Sequence, residues 1–137
     1  MVICKKLDTS LYKQDAYLII ADNGKEVSQY INTKFTNIDK CSEDERCRGF
    51  QWKTYFLIDG FEKARFFIYT NTKEVKPNNT TILHELLHLT WDILDHVGID
   101  LTADNHEAQT YLLEHLVKQT QGIENKLPRT KTNKKKK

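Results

Sequence analysis

Apolar residues in this chain follow two rhythms, and the change from one to the other marks its organisation. The first half is mostly strand-like, broken by one short helix. Residues 2–7 and 16–21 (Ala16-Tyr17-Leu18-Ile19-Ile20-Ala21) read as short strands. Asp22-Asn23-Gly24 is a turn signal. Val27, Tyr30, Ile31 and Lys34 then recur at helical spacing, which predicts a short amphipathic helix over 25–35. Residues 36–48 are polar and carry no apolar period, so they read as a loop. Residues 49–58 alternate and are rich in aromatics, and residues 64–70 read as another strand. With a turn at 59–63 they predict an antiparallel hairpin over 49–70. The aromatics at 50, 52, 55, 56, 66, 67 and 69 suit core and cross-strand pairs.

The second half runs at helical spacing. A connector over 71–80 contains Pro77, and Asn78, Asn79 or Thr80 is placed to cap the next helix. Ile82, Leu83, Leu86, Leu87, Leu89, Ile93, Leu94 and Val97 predict a helix over 80–97 that is apolar nearly all round and therefore buried. Gly98 ends it. A last helix spans 104–121, with Asp104 as its candidate cap. The pattern predicts an α+β fold: one domain over 1–122, with an antiparallel sheet packed on the 80–97 helix and the C-terminal helix, followed by a basic, flexible tail over 123–137.

Composition narrows the class. Of 137 residues, 39% are hydrophobic and 29% charged, enough for a modest single core and too apolar for a disordered chain. No run of 18 apolar residues occurs, so no membrane partner is expected. The N-terminus lacks the apolar core and cleavage site of a signal peptide, which predicts synthesis in a reducing cytoplasm. Cys4, Cys41 and Cys47 are odd in number and suit free thiols. Residues 126–137 carry seven basic side chains and no acid, which leaves residues 1–125 net acidic. A lysine tail of this kind reads as a solvated end. No basic groove or recognition motif predicts sequence-specific nucleic-acid binding.

The candidate chemistry sits on the 80–97 helix. Thr81-Ile82-Leu83-His84-Glu85-Leu86-Leu87-His88-Leu89 contains H-E-x-x-H. Positions four apart on a helix lie one above the other, so His84 and His88 project from one face. Two imidazoles can share one metal ion, and Glu85 can act as the base for a metal-held water. The plain alternative is a structural or accidental histidine pair. A catalytic zinc takes a third protein ligand. Glu107, 19 residues after His88 and one turn into the last helix, is the first choice, with Ala108 beside it allowing close helix packing. His106 and then Asp104 compete for the role, and an acid at that place can also serve only the helix dipole. Tyr111 and His115 share the Glu107 face and are candidates for oxyanion stabilisation, against a simple packing role. Asp92 and His96 continue the His88 face as candidates to orient a ligand imidazole. Trp91 reads as core or pocket wall.

Together, His84-Glu85-Leu86-Leu87-His88 and Glu107-Ala108-Gln109-Thr110-Tyr111-Leu112-Leu113 resemble the small zincin-type metallopeptidases of the gluzincin pattern. More narrowly, they are similar to short zincin-like proteins encoded by tailed bacteriophages. The resemblance covers residues 78–117. It implies a minimal zincin-like fold, a Zn²⁺ cofactor on His84, His88 and Glu107, and Glu85 as general base. It also implies a sheet edge able to hold an extended peptide, so the expected partner is a peptide or protein substrate. The rival expectation is a non-catalytic virion or morphogenesis protein that keeps the fold, with its metal structural or absent and phage structural proteins as partners. Its location would then be virion-associated after synthesis in the host cytoplasm.

Overall fold

The protein is described here from a computed structural model, which covers residues 2–35, 49–58, 61–75 and 80–127. The elements run β1 (Val2–Leu7), β2 (Asp15–Ala21), α1 (Gly24–Lys34), β3 (Gly49–Ile58), β4 (Phe61–Asn71), α2 (Thr80–His96) and α3 (His106–Thr120). Short 3₁₀ turns stand at Ser10–Tyr12, Thr72–Glu74, Ala103–Asn105 and Ile123–Lys126. The α+β class is as expected.

The four strands form one sheet in the order β1-β2-β4-β3. The 49–70 hairpin is antiparallel, with Gly49 opposite Thr70 and Ile58 opposite Phe61. β1 and β2 are also antiparallel. The expectation of an antiparallel sheet fails at the centre, because β2 and β4 pair in parallel, Leu18 opposite Ile68. After β2 and α1 the chain enters the hairpin at its outer strand β3, which runs against β2, and the reversal of the hairpin then brings β4 alongside β2 in the same direction.

Helices cover both faces of the sheet, so the two central strands are buried on both sides. Alternation sorts their side chains. Ala16, Leu18 and Ile20 of β2 and Ala64, Phe66 and Ile68 of β4 meet Ile82, Leu86, Leu89, Ile93 and Leu94 of α2 and Leu112 and Leu116 of α3. Ile19, Ala21, Phe67 and Tyr69 point the other way, onto Val27 and Ile31 of α1. Tyr17, Phe35 and Phe67 interlock there with ring centroids 4.8–5.6 Å apart. Of the aromatics assigned to the core, 66, 67 and 69 are fully buried; the side chains at 50, 52, 55 and 56 lie outside the described residues.

Local signals set the helix ends. Asn23 caps α1, its Oδ1 accepting from the Glu26 N–H at 2.8 Å, while Glu26 Oε1 accepts from the Asp22 N–H at 2.8 Å. α2 ends in a Schellman turn at Gly98, whose φ is +86°. The Gly98 N–H donates to the Asp95 carbonyl at 3.1 Å and the Ile99 N–H to the Leu94 carbonyl at 2.9 Å. Asp104 does not cap α3. It is exposed within the 3₁₀ turn that precedes the helix, and Asn105 holds the cap position with its side chain donating to the Asp100 carbonyl at 2.6 Å rather than capping the helix. The far end of α3 is tied to the chain after β1. Gln119 accepts from the Asp8 N–H and donates to the Asp8 carbonyl, both at 2.8 Å.

Two further expectations change. α2 is not buried all round. Leu83 is 45% exposed, and His84, His88, Trp91, Asp95, His96 and Val97 all face water. Only the side carrying Ile82, Leu86, Leu89 and Ile93 is covered. The packed chain also continues past residue 122, for Ile123 is buried and Leu127 packs beside it. The loop at 36–48 with Cys41 and Cys47, the turn residues 59–60, the connector residues 76–79 with Pro77, Asn78 and Asn79, and the basic residues after 127 (Arg129, Lys131, Lys134–Lys137) lie outside the described residues. No helix among the described residues is long and apolar enough to cross a membrane.

Leu89 is fully buried where α2 meets β4. Leu89→Ala should cost about 2–5 kcal/mol of stability in denaturant unfolding; a loss below about 1 kcal/mol would mean that this face is not the packed core.

Candidate functional site

The side of α2 that docks on the sheet decides which residues remain for chemistry. With Ile82, Leu86, Leu89 and Ile93 turned inward, His84 and His88 are placed on the outer face, one turn apart. Their Nε2 atoms stand 3.2 Å apart and their ring planes meet at 79°. Two Nε2 ligands on a tetrahedral zinc, each about 2.0–2.1 Å from the metal, lie about 3.3 Å from each other. The pair therefore fits as two ligands of one ion. The same spacing also suits an N–H···N hydrogen bond between two neutral rings.

Glu85 occupies a different environment. It lies on the flank of α2 that turns towards the sheet and is 8% exposed. Burial pushes its carboxyl above the ordinary glutamate range, and charge on His84 and His88 pulls it part of the way back. A carboxylate raised by desolvation is a stronger proton acceptor when ionised, and it stands beside the two histidines. Trp91 is neither core nor enclosed wall. It is 37% exposed, with its ring edge-on to His88 at 6.3 Å. Its Nε1 donates to Gln109 Oε1 at 3.2 Å, and Gln109 Nε2 donates to the Thr102 carbonyl at 3.1 Å. This Trp91–Gln109 link sets α3 beside the motif helix. Nothing in the spacing of Gln109 along the sequence marks a contact across two helices.

The remaining candidates separate from the pair. Glu107 lies in the first turn of α3 and is exposed, as are His106 and Asp104. Among the described residues, no three of His, Cys, Asp and Glu come together as a metal-holding group. Asp92 is half-buried one turn beyond His88. His96 is exposed, its ring edge-on to Phe66 at 5.6 Å. Tyr111 and His115 line a groove of 380 Å³ between α3 and the Ser10–Tyr12 turn, together with Leu11 and Lys118; its lining includes neither His84 nor His88. His115 Nε2 also lies 3.4 Å from Asp8 Oδ2. The structure thus brings together His84, Glu85, His88 and Trp91, and it sets Tyr111 and His115 elsewhere.

The Glu85 shift carries a sign for stability. Between the ordinary glutamate value and the raised native one, the native state binds more protons than the unfolded state, so stability falls as pH rises through that window. Metal-free Glu85→Gln should lack this fall and be the more stable protein at neutral pH. Urea midpoints from about pH 4 to about pH 8 in chelator check it. Parallel profiles for the two proteins would show that Glu85 titrates as an ordinary carboxylate. No family model, curated protein or solved structure matches this chain.

Proposed function

We propose that this protein is a zinc-dependent hydrolase acting on peptide bonds. One observation carries the reading: the Nε2 atoms of His84 and His88 are spaced at 3.2 Å as ligands of one ion, with a buried, proton-hungry Glu85 next to them on the same helix. His84 and His88 would hold the metal. Zinc bound there would supply a Lewis acid that polarises a carbonyl and acidifies water. Glu85 accepts the proton released by the attacking water and delivers it to the departing amine nitrogen, so one carboxyl serves as base and then as acid. Its burial keeps the carboxylate poorly solvated, which raises its affinity for that proton.

Substrate binding draws on the sheet. Among the described residues β3 is an outer strand, paired on one side only with β4, and α2 packs against both β3 and β4. An extended peptide can add to such an edge through main-chain hydrogen bonds and lie alongside the motif helix. Glu107 enters this reading as a third ligand only if the first turn of α3 approaches the pair.

A second reading has its own observation in favour. No third ligand stands with the pair among the described residues. An assembly protein that keeps the helix without the chemistry needs none, and its histidines would simply share a hydrogen bond.

Metal content separates the two. Elemental mass spectrometry of purified protein should find zinc in the wild type and in Glu85→Gln, and a loss of at least about tenfold in zinc affinity for His84→Ala. Turnover of unfolded protein substrates should vanish in Glu85→Gln while its zinc remains. A wild type that takes up no zinc even when zinc is added overturns the hydrolase and leaves the assembly protein.

A further inference from the structure

The outer face of α2 offers two metal ligands and an exposed aromatic, and half of a tetrahedral coordination shell. On a helix of 3.6 residues per turn, His84, Leu87, His88 and Trp91 fall within one third of the circumference. His84 and His88 are exposed, Trp91 is 37% exposed, and Leu83 flanks them at 45%. Exposed tryptophan is uncommon on free surfaces and enriched at the centres of interfaces. α2 carries no lysine or arginine to repel a cation, while Glu85, Asp92 and Asp95 lend it negative charge.

We propose that a second copy of this chain covers this face, with a single zinc ion held between the two copies by His84 and His88 of each. The inference rests on the reading that this pair binds zinc, and it adds a partner and a mode of regulation. Zinc favours four ligands in a tetrahedron. One chain presents two nitrogens at 3.2 Å, and the described residues add no third. A two-fold axis through the metal turns one pair into two and completes the shell with nothing else required. Such an interface is isologous: each copy offers the same patch to the other. Trp91 and Leu83 lie beside the axis and lose their exposed apolar surface to the partner, which adds hydrophobic stabilisation to the metal bridge. The bridged form has no open coordination position and is therefore closed to substrate. The single chain keeps its site open, so zinc-linked pairing would hold the hydrolase in reserve.

The test is native mass spectrometry with sedimentation velocity on the full chain, with zinc alone and with chelator. The expected result is a complex of two chains and one zinc when zinc is present, and a single chain in chelator. His84→Ala and His88→Ala should stay single at every zinc level, with unchanged circular dichroism. Trp91→Ala, which removes no ligand, should weaken pairing by at least about tenfold. Glu107→Ala and Glu85→Gln should pair as the wild type does. A single chain carrying its own zinc overturns the pairing and leaves the proposed hydrolase intact; if Glu107→Ala then loses that zinc, the third ligand comes from within the chain. A pair that persists in chelator, or that carries one zinc per chain, overturns the bridge. A chain that binds no zinc overturns both readings.

Discussion

The docking of α2 on β4 is the interaction on which the rest depends. Ile82, Leu86, Leu89 and Ile93 form a ridge that settles over Phe66 and Ile68, and all are buried there. A ridge packed to the density of a protein interior leaves the helix no freedom to rotate about its axis. This fixes the outward direction of every other residue on α2. His84 and His88 face water because their neighbours at 82, 86 and 89 cannot. Glu85 sits on the flank, buried enough to lose most of its water and close enough to the histidines to sense their charge.

The same constraint explains why one carboxylate and two imidazoles so near in sequence meet different conditions. A one-residue step around the helix takes His84 from solvent to a largely desolvated Glu85. α3 is anchored at Trp91 through Gln109 and at Asp8 through Gln119. Those anchors direct Ala108, Leu112 and Leu116 at the core or its margin and turn Tyr111 and His115 towards the Ser10–Tyr12 turn. Tyr111 is 68% exposed at that rim. The lining of the groove there includes neither histidine of the pair on α2.

Much of the fold was legible in the residue pattern, and for clear reasons. Short apolar runs located β1 and β2, alternation and aromatics located the hairpin, and Asn23 and Gly98 marked helix ends through caps that need those residue types. Alternation says which face a side chain takes but not which strand lies beside it, so the parallel pairing of β2 with β4 was hidden. Counting leucines on α2 overstated its burial: Leu83 and Val97 lie off the packed ridge and remain exposed. Ile123 was lost among the polar residues of the tail, although Gly122 at φ +75° turns the chain back and buries it. The H-E-x-x-H spacing put His84 and His88 on one face of the helix, where their Nε2 atoms lie 3.2 Å apart. The place of Glu107 depended on how two helices cross, which no spacing along one chain encodes.

The central claim is that His84 and His88 bind zinc together through Nε2. Long-range ¹⁵N–¹H spectra of the histidine rings, recorded as zinc is titrated in, read this directly. The account expects the Nε2 resonances of these two residues, and of no other histidine, to shift together, with the proton fixed on Nδ1 of each ring. Zinc-dependent shifts at His96, His106 or His115 instead, or an unchanged spectrum at His84 and His88, would contradict it.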